Sequence, residues 1–368
     1  IPGWTATRSL FELLRAALGN IPKDPTELNA DEWTELYNLA ARQSLLGVVF
    51  YAIRQAYPDA ESRIPKDLYL KWFYQAESVR ALNQTHYELS QKLTALFAQK
   101  GFKSVIMKGQ ANSRLYPDKF IRQTGDIDIW LSGGREKVLK NLLDMGLLEG
   151  AIIAEHAVAI PKSVFGTEVE VHFDFIHHDQ NPFANRRLLR ELSLEVEKSI
   201  MVGEGFGVPT LKFALLMQLS HIRRHLLGQG IGLRQIMDYA VLLNTSTEED
   251  RIETAKCLTS TGLRPMAGAL MWVLSNYFGI GDYRLLCKPD EKRGRRLLKA
   301  AMSDGNFGKK GERTSDGVVR WWLRNRLHLF KMLPFDFKEV SWFLLRYWAS
   351  FLFNMPQRIT AYINYKKK

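Results

Sequence analysis

"QTGDIDIWLS", residues 123–132, sets Asp126 and Asp128 one residue apart in an otherwise apolar run. Read as a strand, this run sends both carboxylates to one face, a few ångströms from each other. Carboxylates are among the side chains least often buried, and two like charges at that spacing raise one another's pKa unless a cation lies between them. A divalent ion such as magnesium answers that demand, taking one or two carboxylates and leaving its other positions to water and substrate phosphates. Two ions clamping a phosphoryl displacement need a third carboxylate from a neighbouring strand.

The alternating stretch "TEVEVHFDF", residues 167–175, offers one. It places Glu168, Glu170, His172 and Asp174 on one face and Val169, Val171, Phe173 and Phe175 on the other. The same alternation also describes an exposed edge strand. Upstream, "VIMKGQANSRLY" reads as a strand running into Lys108-Gly109 and then a helix start. A glycine there lets backbone N–H groups approach an anion, and a helix N-terminus favours negative charge. Lys108 and Arg122 add positive charge on that side.

Outward from this centre, the texture divides the chain. Residues 1–100 read as helices: "TATRSLFELLRAAL", then "NADEWTELYNLAARQSLLGVVFYAI" with Asn29 or Asp31 as N-cap, then one long helix from about Pro65 to Gly101. Residues 101–205 read as a small mixed α/β unit. Its strands are "FKSVIMKG", "DIDIWL", "GAIIAEHAVAIP" and "TEVEVHFDFI", with helices at "QANSRLYP" and after "GG" at 133–134. Residues 206–368 return to helices. The expected fold class is therefore α+β, a small mixed β-sheet core flanked by N-terminal helices and a C-terminal helical domain.

The order strand, Lys-Gly, helix, Arg, Asp-x-Asp strand, Glu-x-His strand resembles the nucleotidyltransferase superfamily of DNA polymerase β-like folds. More closely, "MKGQANSRLYPDKFIRQTGDIDIWL" with "VEVHF" and "LSHIRRHLLGQGIGLRQIMDYAVLL" (219–243) is similar to a family of uncharacterised bacterial nucleotidyltransferases. The resemblance covers roughly residues 100–245. It implies a magnesium- or manganese-dependent enzyme that moves a nucleotidyl group from a nucleoside triphosphate, ATP or another, to a hydroxyl by a two-metal mechanism. Asp126, Asp128 and Glu170 would be the metal ligands and catalytic carboxylates, with Glu170 assisting deprotonation of the acceptor. Lys108, Gly109, Arg122, His172 and Arg234 would bind the nucleotide. Gln110 departs from the Gly-Ser or Gly-Gly turn of the wider superfamily. That departure keeps open a catalytically inactive nucleotide-binding protein of the same fold. A metal-dependent glycosyltransferase with an Asp-x-Asp motif is the other alternative, set against about a hundred helical residues ahead of the motif.

Other residues carry two readings each. His172 either orients a phosphate or its acidic neighbour, or is a hydrogen-bonded histidine at a strand edge. His177, His178 and Asp179 resemble a metal cluster or a solvated loop. His221 and His225 stand one helical turn apart, but Ile222 occupies the place where a His-Glu-x-x-His motif needs glutamate. Arg234 and Asp238, also one turn apart, are expected to pair with each other. His225, Arg234 and Asp238 are candidates to line the nucleotide cleft.

The net charge of +12 sits at the C-terminal end, where residues 282–368 hold 20 Lys and Arg against 8 Asp and Glu. The basic, aromatic run 318–368 reads either as a surface for nucleic acid or a membrane face, or as helices whose aromatics pack inward. Two cysteines, Cys257 and Cys287, give neither a disulfide framework nor metal-ligand spacing and suit a reducing cytoplasm. No run of apolar residues is long enough to span a bilayer. The acceptor is a small molecule, a tRNA end, a protein side chain or a saccharide precursor; sequence does not choose among them.

Overall fold

The computed structural model describes residues 3–176, 181–228, 230–304 and 329–353. The sites at 177–179, the glycine-rich turn at 305–311 and much of the basic aromatic run lie outside these residues.

Five helices come first: α1 (Trp4–Ala17), α2 (Ala30–Arg42), α3 (Leu46–Ala56), α4 (Ala60–Arg63) and α5 (Lys66–Gln99). Asn29 caps α2 in a reciprocal box, accepting from the Asp31 and Glu32 amides while Glu32 accepts from the Asn29 amide. The single helix expected over residues 29–53 is two. Ser44 takes a positive φ of 54° at the break. The cause is tertiary: the buried Gln43 side chain donates to the Ala301 carbonyl at 2.9 Å and accepts from the Leu233 amide at 2.7 Å. The 34-residue α5 ends where Gly101 adopts φ 76°, closed by a Phe102 amide bond to the Phe97 carbonyl.

The sheet begins with β1 (Ser104–Ile106), followed by the single-turn α6 (Gln110–Ser113), β2 (Ile127–Leu131) and α7 (Gly134–Asp144). The segment expected as one strand at 150–161 folds into a hairpin, β3 (Ile152–Ile153) and β4 (Ala157–Ile160). After α8 (Lys162–Phe165) comes β5 (Val169–His172). The spatial order is β1-β2-β5-β4-β3, with β2 and β5 parallel and every other pair antiparallel. The edge-strand reading of residues 167–175 therefore fails: β5 sits in the middle of the sheet, hydrogen-bonded on both sides.

Then follow α9 (Pro182–Val196), the small hairpin β6 (Ile200–Met201) and β7 (Gly207–Val208), and helices α10 (Leu211–Gly228), α11 (Leu233–Thr245), α12 (Glu248–Cys257), α13 (Arg264–Tyr277), α14 (Glu291–Asp304) and α15 (Phe337–Phe353). The α+β architecture, a small mixed sheet within a mostly helical protein, is the one expected.

Alternation along the strands splits the sheet into two faces. Ile106, Ile127, Ile129, Val169 and Val171 point into an apolar cluster shared with Leu93 and Phe97 of α5 and Val138 and Leu142 of α7. Val105, Met107 and Trp130 point the other way, into a second cluster that joins the N-terminal helices to α10, α11 and α13. Asp128, Glu170 and His172 alternate with the first set, so they share the second face. Of the C-terminal run, α15 buries Val340 and Leu344 while Phe337 and Leu345 stay exposed. Among the described residues, no helix is long and apolar enough to cross a membrane.

Candidate active site

The parallel register of β2 and β5 sets Asp128 opposite Glu170 and Trp130 opposite His172. Side chains on the same face at that register meet across the strands. The His172 Nε2 lies 3.0 Å from Asp128 Oδ1 and 3.1 Å from Glu170 Oε2, bridging the two carboxylates. Lys108 Nζ reaches the same Asp128 oxygen at 3.1 Å. Asp128 is fully buried, and its other oxygen, Oδ2, has no hydrogen-bond partner among the described residues. A buried carboxylate oxygen without a partner is costly, which makes this position fit for a cation.

Ligand atoms of Asp128, Glu170 and His172 all lie within 4.8 Å of one another, a spacing that can hold a metal ion. Two carboxylates and an imidazole suit a hard or borderline divalent ion. The sequence places Asp126 in this set. In the structure Asp126 precedes β2 by one residue and is half-buried, while His172 completes the triad. The charge of Asp126 is nevertheless felt at the site, at Lys108 and at Glu170.

The electrostatics are mutual. Burial alone would lift the Glu170 carboxyl, but the hydrogen bond and charge of His172, with Lys108 behind them, hold it well below the usual carboxylate range. Burial would depress the His172 imidazole, but bonds to Asp128 and Glu170 push it up to about 9. In the metal-free protein it therefore carries a proton at neutral pH, one that it would have to release before its Nε2 could ligate an ion. Lys108 is likewise raised against the effect of burial, by Asp128 and then Asp126 and Glu170.

Gly109 occupies φ 63°, ψ −107°, open essentially to glycine alone, and faces the Asp126 carbonyl. The following helix, α6, is one turn of four residues packed between α5 and α11. A turn this short carries little macrodipole, so the anion-binding helix end expected after Gly109 is weak. Gln110 is fully buried with both amide atoms unpartnered among the described residues. Its side chain points into the protein, not out from the turn.

Two expectations are corrected. Arg122 does not present its guanidinium to a phosphate: it is 6 % exposed, and Nε and Nη2 grip Asp238 Oδ1 and Oδ2 at 2.7 and 2.8 Å. Tyr116 also donates to Asp238 Oδ1, at 2.7 Å. Consequently Arg234 and Asp238 do not pair along α11. The Arg234 Nη1 instead donates to the Gln123 and Thr124 carbonyls at 3.1 and 3.4 Å. A buried Asp238 needs a two-pronged partner; Arg122 supplies it from the loop before β2, while Arg234, with the same fork, is turned to the loop carbonyls.

Four further histidines add to the surroundings. The His225 imidazole is pushed down to about 4 by burial and then by Lys108 and Arg224, so it is neutral beside this basic group. Its ring lies 4.3 Å from that of His221. The His156 ring lies tilted, 5.6 Å from that of His172, and His86 of α5 is buried, with both ring nitrogens unpartnered among the described residues and its pKa lowered by burial. Sequence reading missed His86 and His156: a single histidine on a helix or a hairpin carries no spacing signal. Tyr116 had one, the Leu-Tyr of the motif stretch.

The family described as uncharacterised nucleotidyltransferase matches residues 29–279, well over half of the chain. The chain belongs to this family. Among solved structures, the crystal structure of an antigenic nucleotidyltransferase-like protein from Paracoccidioides brasiliensis matches with 15% identity and a TM-score of 0.34, covering 56% of this chain and 94% of that one. No curated protein matches. Within the matched span lie Lys108, Gly109, Asp126, Asp128, Glu170, His172, Arg234 and Asp238.

Proposed function

We propose that this nucleotidyltransferase-family protein transfers a nucleotidyl group from a nucleoside triphosphate to an acceptor hydroxyl, at the face of β2 and β5 that carries Asp128, Glu170 and His172. The observation that carries this reading is the buried Oδ2 of Asp128, unpartnered among the described residues, beside a second carboxylate. In the transfer, the acceptor hydroxyl gives up its proton to water, its oxygen bonds to the α-phosphorus, and the bond to pyrophosphate breaks. A divalent cation, magnesium or manganese, supplies charge stabilisation of the phosphate oxygens when bound.

The chain's own groups do the rest. Asp128 and Glu170 hold the cation, and Asp126, just ahead of β2, supplies the further carboxylate for a second ion. His172 fixes the orientation of both carboxylates. A carboxyl held as low as that of Glu170 is a weak base, so it serves better as ligand and hydrogen-bond acceptor than as the final home of the acceptor proton. Lys108, tethered at Asp128 by one ion pair and less enclosed than its partner, is the cation placed to turn toward a phosphate. Gly109 leaves its backbone free of a Cβ beside it.

A second reading, nucleotide binding without turnover, draws on the buried Gln110 and the one-turn α6. Incubation with each α-labelled nucleoside triphosphate, magnesium and cell extract separates the two. Label passing to an acceptor fraction with pyrophosphate release supports transfer, and the labelled fraction identifies the acceptor as small molecule, tRNA, protein or saccharide precursor. Bound nucleotide with no pyrophosphate from any extract contradicts it. The cytoplasmic setting inferred from cysteine usage belongs to this proposal as well, as does contact of the basic C-terminal end with nucleic acid or a membrane face.

A further inference from the structure

We infer that Asp238 and Arg234 of α11, together with Asn83 of α5, are positioning residues that clamp the loop between α6 and β2 and so fix where the Asp126 and Asp128 carboxylates stand. The inference rests on the metal-binding reading above for its purpose, and on hydrogen bonds alone for its existence.

Residues 114–126 form neither helix nor strand, yet Ile121, Arg122 and Thr124 are buried. Backbone carbonyls in such a segment have no ladder to satisfy them, and each buried one needs a partner. Side chains from two distant helices provide them. Asn83 Nδ2 donates to the carbonyls of Phe120 at 2.8 Å and Arg122 at 2.5 Å. Arg234 Nη1 takes those of Gln123 and Thr124. Asp238 holds the Arg122 side chain by both carboxylate oxygens, and Tyr116, at the other end of the loop, bonds the same group.

Arg234 and Asp238 stand one turn apart on α11, and each is committed to the loop. Only Gly125 and Asp126 then separate the last clamped carbonyl from β2. That strand is locked in turn by the Ile127 amide on the Glu168 carbonyl and the Met107 amide on the Asp128 carbonyl, both 3.0 Å. Asp126 is suspended between two fixed points, and α11 sets one of them.

A merely structural ion pair predicts lost stability and nothing else. The comparison is with Glu339→Gln, which breaks the buried Arg223–Glu339 pair at the far side of α10 (3.6 Å). Asp238→Asn, Arg234→Met and Glu339→Gln are compared at temperatures equally far below their own melting points. The first two should weaken Mn²⁺ binding about tenfold or more, the scale on which groups supporting metal ligands act. In Asp238→Asn, trypsin should also cut the chain between Arg122 and Gln123, a bond expected to stay intact in the wild type. Glu339→Gln should do neither. Wild-type Mn²⁺ affinity in Asp238→Asn, or an equal loss in Glu339→Gln, overturns the clamp. A wild type that binds no Mn²⁺ overturns the metal reading instead. The clamp is then decided by proteolysis, where an intact Arg122–Gln123 bond in Asp238→Asn refutes it and cleavage there upholds it.

Discussion

The two faces of the same pair of strands make opposite use of the chain. On one, Ile127, Ile129, Val169 and Val171 pack against α5 and α7 and ask only to be kept from water. On the other, Asp128, Glu170 and His172 are buried or half-buried at a cost that apolar residues in their place would avoid. Stability is gathered on the first face and spent on the second. The proposed cation seat would give the second face a use that the fold alone does not require.

The largest effect should follow from removing the centre of the polar face. Asp128→Ala should lower nucleotidyl transfer by about 10³-fold or more, in keeping with loss of a principal electrostatic contact, while circular dichroism keeps the helical spectrum. Transfer at the wild-type rate would dissolve the contrast between the faces. On the apolar face, Ile129→Ala should cost about 2–5 kcal/mol in denaturant unfolding and leave the turnover of the folded fraction near that of the wild type. A loss of turnover per folded molecule would mean that the two faces are not separable.

The pH dependence sharpens the comparison further. His172 is raised to about 9 in the folded state from an ordinary 6.5, so its contribution is fully present below about 6.5 and is lost as pH climbs through about 9. In metal-free protein, the stability difference between wild type and His172→Gln should therefore shrink over that window, by at most about 3 kcal/mol. A difference that stays flat or grows with pH would place the histidine outside the carboxylate pair. The smallest effect is expected at Lys108. Lys108→Met should raise KM for the nucleoside triphosphate about tenfold, equivalent to about 1.4 kcal/mol, with kcat changed much less. An unchanged KM would assign Lys108 to the carboxylates alone.

Much of this was legible in residue order. Strict alternation at 167–175 and the Asp-x-Asp run orient two strands from sequence alone, and the parallel register then sets Asp128 beside Glu170. What alternation does not contain is strand order, so an edge and a centre looked alike for β5. The break at Ser44 was invisible because its cause, Gln43 bridging Ala301 and Leu233, joins residues far apart in the chain. The partner of Asp238 was misread for the same reason. Helical spacing favours Arg234, but the guanidinium that reaches the carboxylate is that of Arg122, a residue 116 positions away. Local pattern reaches as far as a helix turn or a strand, and side-chain pairing across elements lies beyond it.

The central claim is that the paired carboxylates of β2 and β5 form a seat for a divalent cation, and calorimetric titration of Mn²⁺ into the nucleotide-free protein tests it most directly. Saturable binding in the wild type that disappears in both Asp128→Asn and Glu170→Gln is the predicted result. Binding that persists undiminished in either variant, or a wild type that takes up no ion, would contradict it.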